Sequence, residues 1–316
     1  MLRFTLYRLG HSVLLLFLVS LIGYTILHLA PGGPLSQYAL SPGMSQAELN
    51  QIAERMGLNR PIPIQYLDWL SSFLVGDWGE SFRDGRAVLS VISGHLFATI
   101  LLVLSSSVIS IGLGTLVGVL GATRRYSAWD YLATVGAMIA LSIPTFWFGL
   151  VAIYVFALRL DWFPSGNMYS IGDESFLDYV HHLVMPSLVL ALVNVAIWSR
   201  YMRSSMLDVI GQDFVRTAKA KGVSGRRVLY GHVIRNALIP MITLAGIQLP
   251  MLLSGALVTE TVFTWPGIGR LFLDSLGYND YPVIMGVLMF TAIFVLLGNL
   301  IADILVAIAD PRVRLE

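Results

Sequence analysis

Residues 87–123 read AVLSVISGHLFATILLVLSSSVISIGLGTLVGVLGAT, a run between Arg86 and Arg124 without one Asp, Glu, Lys or Arg. A helix crosses the hydrocarbon of a bilayer in about 20 residues, so this run holds a complete crossing with turns to spare. The same test finds five further charge-free runs, at 9–47, 131–158, 179–199, 236–259 and 281–302. We place six crossings at 11–30, 96–122, 132–158, 183–203, 238–260 and 283–305. The two longest runs have room for two crossings each. Pro31-Gly32-Gly33-Pro34 ends the first crossing, however, and Gly94-His95 marks the start of the second.

Composition agrees. The 316 residues are 56% hydrophobic and 12% charged, far below the roughly 25% charge of soluble domains. The expectation is an all-α integral membrane protein. A net charge of +1 gives no electrostatic case for binding nucleic acid. The absence of cysteine excludes disulfides, thiolate metal sites and a cysteine nucleophile. The first crossing, preceded by Arg3 and Arg8, has the look of a signal peptide. Pro31 directly after His28-Leu29-Ala30 argues instead for an uncleaved helix.

Lysine and arginine set the orientation. Residues 1–10, 123–131, 200–237 and 310–316 hold 2, 2, 8 and 2 basic residues, against 4, 1 and 1 in 31–95, 159–182 and 261–283. Both termini are expected in the cytoplasm. Residues 31–95 then form a folded extracytoplasmic segment. Ser45-Gln46-Ala47-Glu48 reads as a capping box for a helix with Leu49, Ile52, Ala53 and Met56 on one face and Gly57 as its stop. Pro63 opens a second helix with Ile64, Leu67, Leu70 and Leu74 on one face and Gly76 beyond it. This segment suits either an amphipathic cap on the membrane or a docking surface.

Within the crossings, Gly114 and Gly118, extended by Gly121, form a small-xxx-small pattern for close helix packing. Pro144 and Pro250 should kink their helices and free carbonyls that must face protein or a wet cavity. Glu260 and Asp303 are the ionisable side chains near crossing ends, each expected to reach interfacial water. No crossing carries an array of carboxylates or histidines for a proton relay.

The loop after the fourth crossing is the most informative. Asp213 can cap a short basic helix, Phe214 to Lys221, which Gly222 stops in the left-handed conformation. Ser224 can cap a second helix running through Arg226, Arg227 and Arg235 toward Pro240. Such a helix either fixes topology at the interface or docks on a partner. The two lysines, Lys219 and Lys221, each follow alanine, so a phosphate-binding loop of the G-x-x-x-x-G-K-[ST] type is impossible. There is no His-Glu-x-x-His and no G-x-S-x-G. His181-His182, near Asp178, points its rings about 100° apart on a helix and is not expected to share a metal. No catalytic constellation remains, and any energy for transport must come from another subunit.

Arg216-Thr217-Ala218-x-x-x-Gly222, with Pro240 eighteen residues on, resembles the "EAA" loop of permease subunits in bacterial ABC importers. Arg216 and Thr217 stand where the superfamily often has Glu and Ala, a form similar to that of the peptide-transporter branch. Further blocks match that branch: Leu29-Ala30-Pro31-Gly32-Gly33-Pro34, Gly57-Leu58-Asn59-Arg60-Pro61, Gly76-Asp77-Trp78-Gly79, Ser142-Ile143-Pro144, Glu260 to Arg270 through Trp265, Pro266 and Gly267, Asp280-Tyr281-Pro282-Val283 and Asp310-Pro311-Arg312. The chain thus resembles the first permease of a dipeptide, oligopeptide or nickel importer.

The resemblance implies a type I (MetI-like) importer fold, with helix 1–30, outer segment 31–95, permease core 96–310 containing a coupling loop at 204–237, and tail 311–316. It implies a heterodimer with a second permease, two ATP-binding subunits that use ATP and Mg, and an extracytoplasmic solute-binding protein. No cofactor is expected on this chain itself. The expected location is the inner, cytoplasmic membrane of a bacterium or archaeon. Asp213, Phe214, Arg216, Thr217, Ala218, Lys219, Lys221 and Gly222 are the implied ATPase-coupling residues, with Phe214 and Ala218 packing on the partner. Pro144, Pro250, Glu260, Trp265, Pro266, Gly267 and Asp303 are candidates for the translocation path or its gate. Import of nickel, glutathione or another small solute is the alternative within the family. A secondary transporter or intramembrane enzyme is the alternative outside it.

Overall fold

The computed structural model describes residues 2–29, 35, 45–55, 57–173 and 175–309. The Pro31-Gly32-Gly33-Pro34 stop, Met56 and the tail 311–316 lie outside the described residues, as do the side chains of Ile52 and Pro250. Among the described residues every regular element is a helix. They run α1 (Leu2–Leu29), α2 (Gln46–Arg55), α3 (Ile62–Leu74), α4 (Val88–Thr123), α5 (Ala128–Ser142), α6 (Thr145–Ala152), α7 (Phe176–Ile210), α8 (Asp213–Ala220), α9 (Gly225–Val228), α10 (Ile239–Val262), α11 (Ile268–Gly277) and α12 (Tyr281–Ala309). Wider turns continue α6 over Ile153–Arg159 and α9 over Leu229–Ile234, before a last turn at Arg235–Ala237.

Among the described residues five helices are long and apolar enough to cross a membrane, and six if α5 and the bent stretch after it make one crossing. The expected 238–260 crossing coincides with α10, while the apolar window among described side chains falls on Gly225–Gly246. Two crossings depart from expectation. The second helix begins at Val88, and Gly94-His95 lies inside it. Val88, Val91 and Ile92 pack against Ile268, Val283 and Val287, and that burial extends the helix through the glycine. The third crossing is more than kinked: the pair Ala128–Ser142 and Thr145–Arg159 bends by 102°. Pro144 excludes the helical conformation from Ile143, which is extended at φ −88° and ψ 126°. It then restarts the chain as the residue before α6. Pro250, by contrast, lies inside an uninterrupted α10.

The chain divides into two compact units. The first comprises residues 1–97 and 267–296. Its capping box is formed: Ser45 N–H donates to Glu48 Oε2 at 2.7 Å and Glu48 N–H to Ser45 Oγ at 3.3 Å. Those bonds hold the Glu48 carboxyl below its ordinary range. Gly57 and Gly76 stop α2 and α3 with positive φ. Of the apolar face read from spacing, Leu70 packs on the protein and the other three residues do not. Tyr66 is buried beside Tyr24 and Met285, with Trp69 and Leu70 packed on them, while Ile64, Leu67 and Leu74 stay exposed. Both faces are apolar, and the aromatic one wins the protein contact because its rings bury more area. The aliphatic face remains available to a membrane surface.

The second unit comprises residues 98–266 and 297–316. There Gly114 and Gly118 meet α7 as the small-residue pattern predicts. A Cβ on Gly118 would stand 2.6 Å from Met202 Cβ and 2.7 Å from the Ser199 carbonyl oxygen. Only glycine allows that approach of backbones. Ser105 and Ser187 hydroxyls pair at 2.6 Å between the same two helices.

Candidate functional site

The helix α8 is about two turns of strongly divided surface. Val215 (1% exposed) and Ala218 (9%) face inward, whereas Phe214 (39%), Arg216, Thr217, Lys219 and Lys221 face outward. Gln212, not Asp213, is the residue before the first turn, and Asp213 sits in that turn with a long 3.7 Å approach to Arg216. Such an exposed pair contributes little stability, and the acidic group favours the helix start. The stop is as expected. Gly222 has φ +76°, its N–H donates to the Lys219 carbonyl at 3.0 Å, and Val223 N–H donates to the Ala218 carbonyl at 3.2 Å. These two bonds close a Schellman motif, which needs a left-handed residue between them. Ser224 precedes α9 as expected, but its side chain makes no cap bond.

Because Ala218 is covered by its own chain, Phe214 is the large apolar side chain that α8 offers outward. Val215 and Ala218 join one core with Met202, Met206 and Val209 of α7, Val228 and Val233 of the following turns, and Met241 of α10. Ser205 Oγ also donates to the Ala237 carbonyl at 2.9 Å. The loop 204–237 is therefore built onto the end of α7. At about 1.5 Å per residue, the 35 residues of α7 exceed the roughly 30 Å hydrocarbon by several turns. Those extra turns carry the seat.

Spacing gave no sign of the ion pair beneath that seat. Arg203 of α7 grips Asp130 of α5 with two bonds, Nε to Oδ1 at 2.6 Å and Nη2 to Oδ2 at 2.8 Å. Asp130 is buried, and the Tyr126 N–H donates to it as well at 3.0 Å. A bidentate guanidinium–carboxylate pair fixes both direction and distance. The partners lie 73 residues apart, and the one signal was that Asp130 bounds the apolar run 131–158 and Arg203 ends the crossing placed at 183–203.

The gate candidates fall into separate places. Glu260, expected to reach water, is 0% exposed in the last turn of α10, where Thr99 Oγ–H donates to its Oε1 at 2.6 Å. Trp265 is equally buried and donates from Nε1 to the Ala98 carbonyl at 2.8 Å, while its N–H closes on the Glu260 carbonyl. Thr264 between them takes φ +48°, a strained conformation for a β-branched residue. Asn167 N–H braces it, donating to the Phe263 carbonyl at 2.9 Å and to Thr264 Oγ1 at 3.0 Å. Pro266 is half-buried, and Gly267 precedes α11. Asp303 is half-buried on α12, and Pro144 forms the bend described above. Glu260 and Trp265 thus form one packed corner of the second unit.

His181 and His182 are engaged separately. His181 Nε2 lies 2.7 Å from the Trp162 carbonyl, and His182 is buried with Nδ1 2.9 Å from the Asp178 carbonyl. A carbonyl accepts only, so each of those nitrogens carries a proton.

What the geometry defines is a multi-pass helical membrane protein that presents a rigidly seated amphipathic helix. Family comparison agrees: residues 114–315 match the model of the binding-protein-dependent transport system inner membrane component, and residues 1–103 match its N-terminal model. The chain belongs to that family of transport-system inner membrane components. It is 44% identical over 305 residues to the oligopeptide transport system permease protein AppB of Bacillus subtilis, covering 96% of each chain. It is 37% identical over 337 residues to the di/tripeptide transport system permease protein DppB of Pseudomonas aeruginosa, covering 99% of each. It is 34% identical over 336 residues to the dipeptide transport system permease protein DppB of Escherichia coli, again covering 99% of each. Among solved structures, an inward-facing MetNI methionine ABC transporter shares the fold, with TM-score 0.56 at 18% identity over 70% of this chain and 97% of that one.

Proposed function

We propose that this chain is one of two permeases in an ATP-driven, binding-protein-dependent importer of di- and oligopeptides in the cytoplasmic membrane of a bacterium or archaeon. The observation that carries the substrate class is the near-full-length identity to permeases named for oligopeptides, di/tripeptides and dipeptides. In this reading both termini face the cytoplasm, a solute-binding protein delivers cargo from outside, and two ATPase subunits bind ATP and Mg. The chain itself binds no cofactor and hydrolyses nothing.

The exposed rim of α8 suits a socket on an ATPase subunit. Phe214 supplies an apolar knob, and Arg216, Lys219 and Lys221 supply positive charge around it. Closure of the ATPases on ATP would push α8. Since α8 shares a core with α7, the push is delivered to a crossing rather than absorbed in a loop. Alternation between inward and outward openings follows if the two conformations differ in how well they seat the ATPase dimer.

The test is uptake of a labelled dipeptide by cells lacking this chain and any second peptide importer, with and without the restored gene. Loss and recovery of uptake are expected. Unchanged uptake would move the substrate elsewhere.

A further inference from the structure

In the first unit, a cavity of about 350 Å³ opens between the 81–86 loop, the start of α4 and the 274–283 stretch. Its volume lies at the lower end of the range for small-ligand sites, roughly 300–1,000 Å³. Its wall holds an unusual number of charges: Arg83, Asp84, Arg86, Asp274 and Asp280, with His95 and Tyr278 beside them.

Most of these charges are satisfied locally. Asp84 and Arg86 pair at 2.6 Å, and the guanidinium holds the Asp84 carboxyl below its ordinary range. Asp274 approaches Arg270 at 3.6 Å. Two charges are left over. Arg83 lies with its guanidinium carbon 4.0 Å from the centre of the Tyr278 ring. Among the described residues it has no carboxylate within 4.0 Å. Asp280 is only 3% exposed and accepts from Ser81 Oγ at 2.5 Å and from the Phe82 N–H at 3.1 Å. It too has no cation within 4.0 Å among the described residues. A carboxylate accepts about four hydrogen bonds, so two donors leave it capacity. A buried charge without a counter-ion is costly, and one facing a polar cavity is the natural place for a ligand to supply it.

We propose that this cavity is a subsite for a short zwitterionic peptide, with the peptide carboxylate on the Arg83 guanidinium and its ammonium toward Asp280. Opposite unpaired charges across one small cavity select a ligand that carries both. An inorganic anion would use Arg83 alone, and a diamine Asp280 alone. The site rests on the import reading, in which the 31–95 segment is outside, and there it would hold cargo at the outer end of the chain. Tyr278 positions Arg83 by stacking, and the Asp84–Arg86 pair keeps the neighbouring guanidinium from competing for Asp280.

The experiment is equilibrium dialysis of radiolabelled Ala-Ala against the purified complex of this chain with its co-purifying subunits, the binding protein omitted. Wild type should bind, N-acetyl-Ala-Ala and Ala-Ala-amide should each fail to compete, and Arg83→Gln should bind at least tenfold more weakly. Asp280→Asn should lose binding too. That variant also disturbs the Ser81 and Phe82 bonds, so the exposed Arg83 and the two blocked peptides carry the decision. No binding to wild type, equal competition by the blocked peptides, or an unchanged Arg83→Gln each overturns the subsite. An Arg83 effect seen only when the binding protein is present also overturns it and makes Arg83 a protein contact. Uptake by whole cells separates the two claims. Chain-dependent uptake with unchanged dialysis sinks the subsite and leaves the importer standing. Chain-independent uptake sinks the importer.

Discussion

Gly222 offers the cleanest perturbation of the coupling segment. A Cβ built there meets nothing within 4 Å, so Gly222→Ala adds no clash, and its whole cost is the left-handed backbone at φ +76°. That cost is about 1–2 kcal/mol for an ordinary residue and smaller for asparagine, which tolerates this region. An increment of that size shifts the local equilibrium by roughly 5- to 30-fold. Proline is worse on two counts, since its φ is fixed at about −65° and it removes the N–H that bonds Lys219 at 3.0 Å. The expected order of function is therefore Gly, Asn, Ala, Pro. The stop matters because its second bond, Val223 to Ala218, ends on a residue of the core shared with α7. Fraying the stop loosens the seat. The assay is peptide uptake and substrate-stimulated ATP hydrolysis by the complex reconstituted in vesicles with its binding protein. Asn should stay within about twofold of Gly, Ala should fall severalfold, and Pro should approach background. Full uptake with Gly222→Pro, or no difference between Asn and Ala, refutes the assignment of α8 as the coupling element.

Three further outcomes follow from the same geometry. Gly118→Ala should lower the melting temperature and weaken assembly, because its Cβ meets the α7 backbone, whereas Gly112→Ala, which faces open space, should behave as wild type; equal behaviour of the two removes the close-packing argument. Val215→Ala should cost about 2 kcal/mol of stability with the ATPase contact intact, and Phe214→Ala should leave melting unchanged while reducing co-purification of the ATPase. Arg203→Lys should lower stability by about 1–2 kcal/mol in thermal unfolding, since lysine keeps the charge but not the two-pronged grip on buried Asp130, and Arg203 itself is partly exposed; an unchanged melting temperature would show that the pair contributes nothing.

The features that spacing foretold are those set within a few residues. Charge-free runs locate the crossings because the bilayer tolerates no other composition over that length. The Ser45–Glu48 box, the Gly222 stop and the Gly114/Gly118 pattern are all local rules, and each holds in the structure. What escaped was decided at long range. Glu260 was expected to reach water because it stands at a helix end, yet Thr99, 161 residues away, provides a hydroxyl that lets it be buried. Gly94 was expected to start a helix, and packing of Val88 and Ile92 overrode it. The face of α3 was chosen by where Tyr24 and Met285 lie. At Pro144 the local rule was right in kind, but the size of the bend depends on what each half packs against.

The arrangement of α8 bears on how a push would travel. If α8 moved alone, Val215 and Ala218 would leave the core they share with Met202, Met206 and Val209. Exposing those two side chains and the surfaces they cover would cost roughly 2–4 kcal/mol. Moving α7 along with α8 keeps the contacts of Val215 and Ala218 with Met202, Met206 and Val209, so it is the cheaper response. The Ser205–Ala237 bond adds the end of the 225–237 stretch to the same body. Between α9 and α10, however, the wider turns at Leu229–Ile234 interrupt the regular helix. Widened turns are a common place for a helix to adapt its path. A displacement of α8 should thus reach α7 nearly undiminished, and it reaches the start of α10 by two routes, the Ser205–Ala237 bond and the compliant turns at 229–234. Tyr230 and Gly231 in those turns are both exposed and free to take a spin label. Paired labels at Tyr230 and an exposed position of α8 should then change separation between nucleotide states, while a pair joining α8 to the exposed end of α7 should not.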